Sequence, residues 1–326
     1  MSWMSPPLRK KNDPMSDKLA AKPLLSGSFE SEDKNILTGA VLIICICGGI
    51  YFLLPSFFLN LYITLDMLTK AKTDTFAGKD YFEILKTYYT SIKIPVLLFT
   101  AAAQYSILFG LTLFLVRKWH TRRIREYAYY NRFSIPGMII AVLSALLIIP
   151  VVEFISYWAY LLFPVLEKLQ QVSSPLFTAS DPVQLLLLLF VIGLTPAVCE
   201  EFLFRGYFQR TLQRKLKTPW HFIISGSIFA LFHFQLLSLP SLIAVGIYLG
   251  FIYYVFRSIY VTMTAHFLYN CTLILIYNYA PNGNFIFSDS GNFRLPVVGM
   301  AFIVFAALMG YCILYLRKSR QETAQA

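Results

Sequence analysis

Eight stretches of the chain are apolar for close to twenty residues each, and short polar or basic segments separate them. A helix needs roughly 20 apolar residues to cross about 30 Å of hydrocarbon. The pattern therefore predicts membrane helices over about Ile36–Leu61, Ile94–Val116, Gly137–Phe163, Val183–Phe204, His221–Leu237, Pro240–Phe256, Ile259–Ile276 and Leu295–Leu316. Only Ser238 and Leu239 separate the short fifth and sixth runs, which predicts a tight helical hairpin. Residues 1–35 are polar, with six basic and five acidic side chains and four prolines, and read as a disordered tail. Between the first two runs, Tyr81, Leu85, Tyr88 and Ile92 fall on one stripe, as in an amphipathic helix at the outer interface.

Composition fixes the solvent. The chain is 57% hydrophobic and 14% charged, whereas soluble domains sit near 45–50% and about 25%. The fold class is an all-α polytopic transmembrane bundle of about eight helices. Of the 28 Lys and Arg, 21 fall in the segments on one side of the alternating topology and seven on the other. Such a bias marks the cytoplasmic face, so both termini are expected there. The net charge of +11 thus reads as basic loops against an anionic leaflet, and no nucleic-acid partner is expected. Cys45, Cys47, Cys199, Cys271 and Cys312 lie in apolar runs without metal-ligand spacing and read as small buried hydrophobes. Gly246 and Gly250 are four apart, a spacing that lets helices pack closely.

Ionisable side chains are expensive within a span, so their distribution is informative. The third run has Glu153 alone; the rest gather in the fourth, fifth and seventh. In the fourth, Glu201 and Arg205 are four apart and share a helix face. Glu200 is rotated by about 100° and is free to point elsewhere. Pro196 cannot donate to the carbonyl of Ile192, which predicts a bend just before the pair. The fifth run carries His233, and the seventh carries His266 and Asn270 on one face. At 1.5 Å per residue, Glu200 lies roughly 10 Å from the cytoplasmic end of its helix, His233 roughly 18 Å in from the start of its run, and His266 with Asn270 roughly 10–18 Å in from theirs. Matching depths predict one wet cavity in the cytoplasmic half of the membrane.

Glu200-Glu201-x-x-x-Arg205, Phe229-x-x-x-His233 and His266-x-x-x-Asn270 occur in that order on successive spans. This arrangement resembles the CAAX prenyl protease and bacteriocin-processing (CPBP, Abi) family of intramembrane endopeptidases, over about residues 183–276. The resemblance implies that Glu200 and His233 activate the attacking water, that His266 and Asn270 stabilise the oxyanion, and that Glu201 and Arg205 hold the helix. It divides the chain into a tail (1–35), N-terminal spans with an outer amphipathic segment (36–182), a catalytic core (183–276), and a last span with a short basic tail (277–326). No cofactor is required by this chemistry. If a divalent metal such as zinc takes part, Glu200, His233 and His266 are the expected ligands.

The expected partners are the lipid bilayer and a membrane-attached peptide or protein, prenylated or not, cut near its C-terminus. The bacterial inner membrane is the expected location, with the endoplasmic reticulum as the alternative. Two other functions would use the same cavity: a non-catalytic peptide-binding or bacteriocin-immunity protein, and a proton-coupled transporter.

Overall fold

The computed structural model describes residues 24–32, 35–70, 81–130, 132–163, 174–233, 238–280 and 294–325. All eight apolar runs are helical. They form α1 (Ile36–Lys70), α2 (Tyr81–Ala103, continued by a π-helical Gln104–Leu111 and by Thr112–Trp119) and α3 (Ile135–Leu162). Next comes α4, built from Pro182–Leu188, the π-helical Leu189–Leu194, Thr195–Glu201, the π-helical Phe202–Gln209 and Arg210–Leu212. The rest are α5 (Trp220–Leu231), α6 (Leu239–Phe256), α7 (Ile259–Tyr279) and α8 (Leu295–Gln325). Among the described residues there is no strand, and seven of the helices are long and apolar enough to cross a membrane. The protein is an integral, multi-pass membrane protein.

Local chemistry sets where the helices begin and end. Ser134 caps α3, its hydroxyl accepting from the Gly137 N–H at 3.1 Å, and Asp181 caps α4 through the Gln184 N–H at 2.9 Å. Pro136 and Pro182 follow these caps, where a missing N–H costs nothing. Arg257 adopts the left-handed conformation (φ 48°) and stops α6.

Two expectations about length change. With 12 residues, α5 is about 18 Å long, too short to span the hydrocarbon. It ends in a turn at Phe232 and His233, and residues 234–237 lie outside those described. The first turn of α6 packs against α3 inside the protein, where the Ser156 and Ser241 hydroxyls meet at 2.8 Å. By contrast, α4 runs on to Leu212, so Glu200 sits about 18 Å from that end, level with His233.

The segment predicted as an interfacial helix is the first turns of α2, continuous with the membrane helix, with Tyr88 and Ile92 buried. Of the cysteines, Cys47, Cys199, Cys271 and Cys312 are buried and Cys45 is exposed.

Buried side chains form two large clusters and a smaller one, Leu97, Ala101, Leu188, Val191 and Ile274, that joins α2, α4 and α7. One large cluster joins α3, α6, α7 and α8 through residues such as Ile148, Leu249 and Ala265; the other joins α1, α2, α4 and α5 through Ile43, Leu108, Leu203 and Phe229. Large apolar side chains such as Leu53, Val183 and Ile303 stand exposed around the outside, as lipid contact requires. The seam between the two large clusters holds the polar residues.

Gly246 marks the closest approach of α5 and α6. A Cβ there would stand 2.5 Å from the carbonyl oxygen of Gly226, a backbone atom that cannot give way. Gly246→Ala is therefore expected to destabilise the protein by about 1–3 kcal/mol, the usual cost of overpacking, read as a lower unfolding midpoint in detergent.

Residues 1–23, 33 and 34 of the expected tail lie outside those described, whereas 24–32 are folded. Glu30 receives two bonds from Arg214, at 2.6 and 2.9 Å, and lies 3.1 Å from His120 Nδ1. His120 Nε2 in turn meets the Tyr207 hydroxyl at 2.9 Å, and the Thr121 hydroxyl donates to the Leu24 carbonyl. This strap ties the chain's start to the last turns of α4.

Burial pushes His120 below its ordinary value, against the pull of Glu30. Burial also works to raise Glu30, but the bonds from Arg214 and His120 hold its carboxyl below the usual range. In both cases the unfolded state binds more protons, so stability falls as pH falls. The His120 share is lost from about pH 6.5 downward and the Glu30 share from about pH 4.3 downward. Limited proteolysis should accordingly cut near residues 24–32 faster at pH 5 than at pH 7.5.

Candidate active site

A cavity of about 450 Å³ opens along the seam, lined among others by Gln104, Glu153, Glu200, His233, His266 and Asn270. That volume falls within the range of ligand pockets, about 300–1,000 Å³. The three motifs, on α4, on the turn after α5 and on α7, thus reach a common space.

The two adjacent glutamates diverge as the helical rotation requires. Glu201 is wholly buried, and its Oε1 accepts from Arg205 Nη1 at 2.8 Å and from His266 Nδ1 at 2.8 Å. Arg205, also fully buried, donates through Nη2 to the Gly246 carbonyl at 3.0 Å and lies 4.4 Å over the Phe229 ring. One ion pair therefore joins α4 to α5, α6 and α7. The Gly246–Gly250 spacing serves this as well, since Gln209 donates to the Gly250 carbonyl at 2.8 Å.

Glu200 faces the cavity instead. It is 8% exposed, its Oε2 has no hydrogen-bond partner, and that oxygen lies 3.9 Å from His233 Nε2. His233 Nδ1 is 2.9 Å from the Phe229 carbonyl, four residues back. A carbonyl only accepts, so Nδ1 carries a proton, and Nε2 is the ring atom turned toward Glu200.

His266 has its Nδ1 proton fixed on the Glu201 carboxylate, leaving Nε2 as the ring atom available to the cavity. Asn270 donates one amide hydrogen to the Ile192 carbonyl at 2.8 Å. Pro196 has no N–H to return to that carbonyl, so the amide replaces the missing helix bond and props α7 against the bend in α4. The other amide hydrogen and the side-chain oxygen remain.

Glu200 and Glu201 sit between two π-helical stretches, a departure from regular helix common at functional sites. Glu200, His233 and His266, the residues expected to hold a metal if one takes part, all line this cavity, although the described side chains as placed form no cluster of three or more His, Cys, Asp or Glu.

Residues 182–272, under a third of the chain, match the family model described as type II CAAX prenyl endopeptidase, Rce1-like. Over this segment the chain is similar to the CAAX proteases. All seven motif residues lie within it. No curated protein and no solved structure matches the chain. The helices that precede the matched segment nonetheless contribute to its cavity. From α2 comes Gln104, 5% exposed on the π-helical turn, with its Oε1 unpartnered and its Nε2 3.4 Å from the Tyr51 hydroxyl of α1. Gln104 was visible in the sequence as a lone amide in an apolar run, but a search restricted to ionisable side chains passes over it.

Proposed function

We propose that the protein is an intramembrane endopeptidase that cuts membrane-attached proteins or peptides near their C-terminus, using a water molecule activated by Glu200 and His233. The observation that carries this reading is the facing pair of acceptors, a partnerless carboxylate oxygen and an imidazole nitrogen 3.9 Å apart. That separation is too long for a direct hydrogen bond. One water, donating a hydrogen to each, spans it.

With both hydrogens engaged, the water oxygen turns a lone pair toward a substrate carbonyl. Attack forms the C–O bond, places negative charge on the carbonyl oxygen, and passes the water proton to the Glu200–His233 pair. The same proton then goes to the leaving nitrogen as the C–N bond breaks, which is general base followed by general acid catalysis. His266, once Nε2 has taken a proton from solvent water before the substrate binds, and the second Asn270 amide hydrogen are the candidate donors to the oxyanion. One such donor can be worth about 2.7–4 kcal/mol. Glu201 and Arg205 position the helix and the His266 ring. The cycle needs no group beyond these side chains and water.

We place the basic end of the bundle, with both termini, in the cytoplasm, so that substrate enters from that side. The test is purified protein in liposomes with a membrane-anchored peptide, the products read by mass spectrometry. A C-terminal fragment should appear at the same rate with and without chelator. Activity lost to chelator and restored by zinc would replace the proposed water activation. Tight peptide binding without any fragment would make the protein a binding module, and pH-driven solute uptake by the same liposomes would make it a transporter.

A further inference from the structure

The cavity holds a second carboxylate that the proposed chemistry does not use. Glu153 is the only Asp, Glu, Lys or Arg in α3, and it lines the same space as Glu200 and His233. An ionisable group within a span is costly and calls for a use. Its polar neighbours are already engaged: the Ser156 and Ser241 hydroxyls meet at 2.8 Å, and Ser241 donates to the Val152 carbonyl at 3.2 Å. Among the described residues, Glu153 has no hydrogen-bond or ion-pair partner, and no Lys or Arg lines the cavity.

Among the described residues, the cavity thus presents two carboxylates and no Lys or Arg to pair with them. A substrate that ended there in its own free carboxylate would meet only like charge. A substrate carrying an ammonium or guanidinium would meet its complement in a surrounding of low dielectric, where such a pair counts for most.

We infer that Glu153 is a specificity-determining residue that pairs with a Lys or Arg side chain of the substrate flanking the cleaved bond. The inference rests on the endopeptidase reading and adds the substrate's charge to it. Glu153 sits on α3, outside the segment that matches the CAAX protease family, so selection and bond cleavage fall on different parts of the chain.

The test is a set of membrane-anchored peptides in which a lysine is walked through the positions flanking the cleaved bond, each compared with Met and Glu at the same place. At one position the wild-type protein should favour Lys over Met, and Met over Glu. Glu153→Gln should lower the Lys-to-Met ratio of kcat/KM by about 10–100-fold, as expected for losing a hydrogen bond to a charged group, mostly through KM. Glu153→Lys should turn the preference toward Glu. Unfolding midpoints of both variants, close to wild type, would keep the comparison free of misfolding.

A Lys-to-Met ratio near one at every position in wild type, or one unaltered in Glu153→Gln, overturns the inference and leaves the endopeptidase reading standing. A wild-type protein that yields no cleaved product from any of the peptides strikes the endopeptidase reading itself, and this inference with it, whereas turnover that persists in Glu200→Gln strikes only the proposed water activation.

Discussion

Glu200→Gln is expected to slow cleavage of a membrane-anchored peptide by about 10²–10⁴-fold, the range of general acid–base catalysis, while the unfolding midpoint stays close to wild type. The two halves of that expectation come from one feature. Glu200 Oε2 makes no hydrogen bond, so no structural contact of that oxygen is lost when an amide replaces it. The amide has nearly the carboxylate's shape but accepts no proton. Its NH₂ could even donate to His233 Nε2 and occupy the lone pair that the water would use. His233 is a less clean target, because replacing it also removes the bond to the Phe229 carbonyl. Each alternative function makes a different forecast. A peptide-binding module should tolerate the glutamine, and a proton-coupled transporter should lose pH-driven uptake with no peptide product at any stage. A purified Glu200→Gln protein that cleaves at the wild-type rate would end the proposed mechanism.

The fold was legible because lipid leaves little choice. A span must be both apolar and helical along its length, so all eight runs are visible in the sequence, although α1, α2, α4 and α8 extend into polar residues past the apolar ends. The exception is instructive: the apolar run from His221 to Leu237 outlasts its helix, since the turn bearing Phe232 and His233 is itself within the protein and looks no different in composition. Within one helix, the 3.6-residue period was enough to separate Glu200 from Glu201 and to align Glu201 with Arg205. What passes between helices was not legible. The missing N–H of Pro196 is plain in the sequence, yet nothing there says that Asn270, 78 residues from Ile192, supplies the substitute bond. The strap around Glu30 was hidden for the same reason. Its composition is that of a disordered tail, and its partner Arg214 lies 184 residues away.

Arg205→Met should cost about 3–5 kcal/mol of stability, the usual penalty for removing one partner of a buried ion pair. Arg205 and Glu201 are both fully buried at 2.8 Å, with no water to screen the charge that is left behind. The substitution also strips the Gly246 carbonyl of its donor, loosening α6 at the point where it approaches α5 most closely. Methionine matches much of the arginine's apolar stem, so loss of packing is a small part of the effect. Arg205→Lys should recover only a portion, because a single ammonium cannot reproduce the flat fork that serves Glu201 and Gly246 at once. The double variant Arg205→Met with Glu201→Gln separates charge from shape: no carboxylate then remains unpaired, and stability should rise above that of Arg205→Met alone. His266 supplies a readout independent of stability. Its ring is held through Nδ1 by Glu201, so in whatever double-variant protein folds, kcat should fall while KM changes little. A double variant no more stable than Arg205→Met would mean that the buried charge is not what the arginine neutralises.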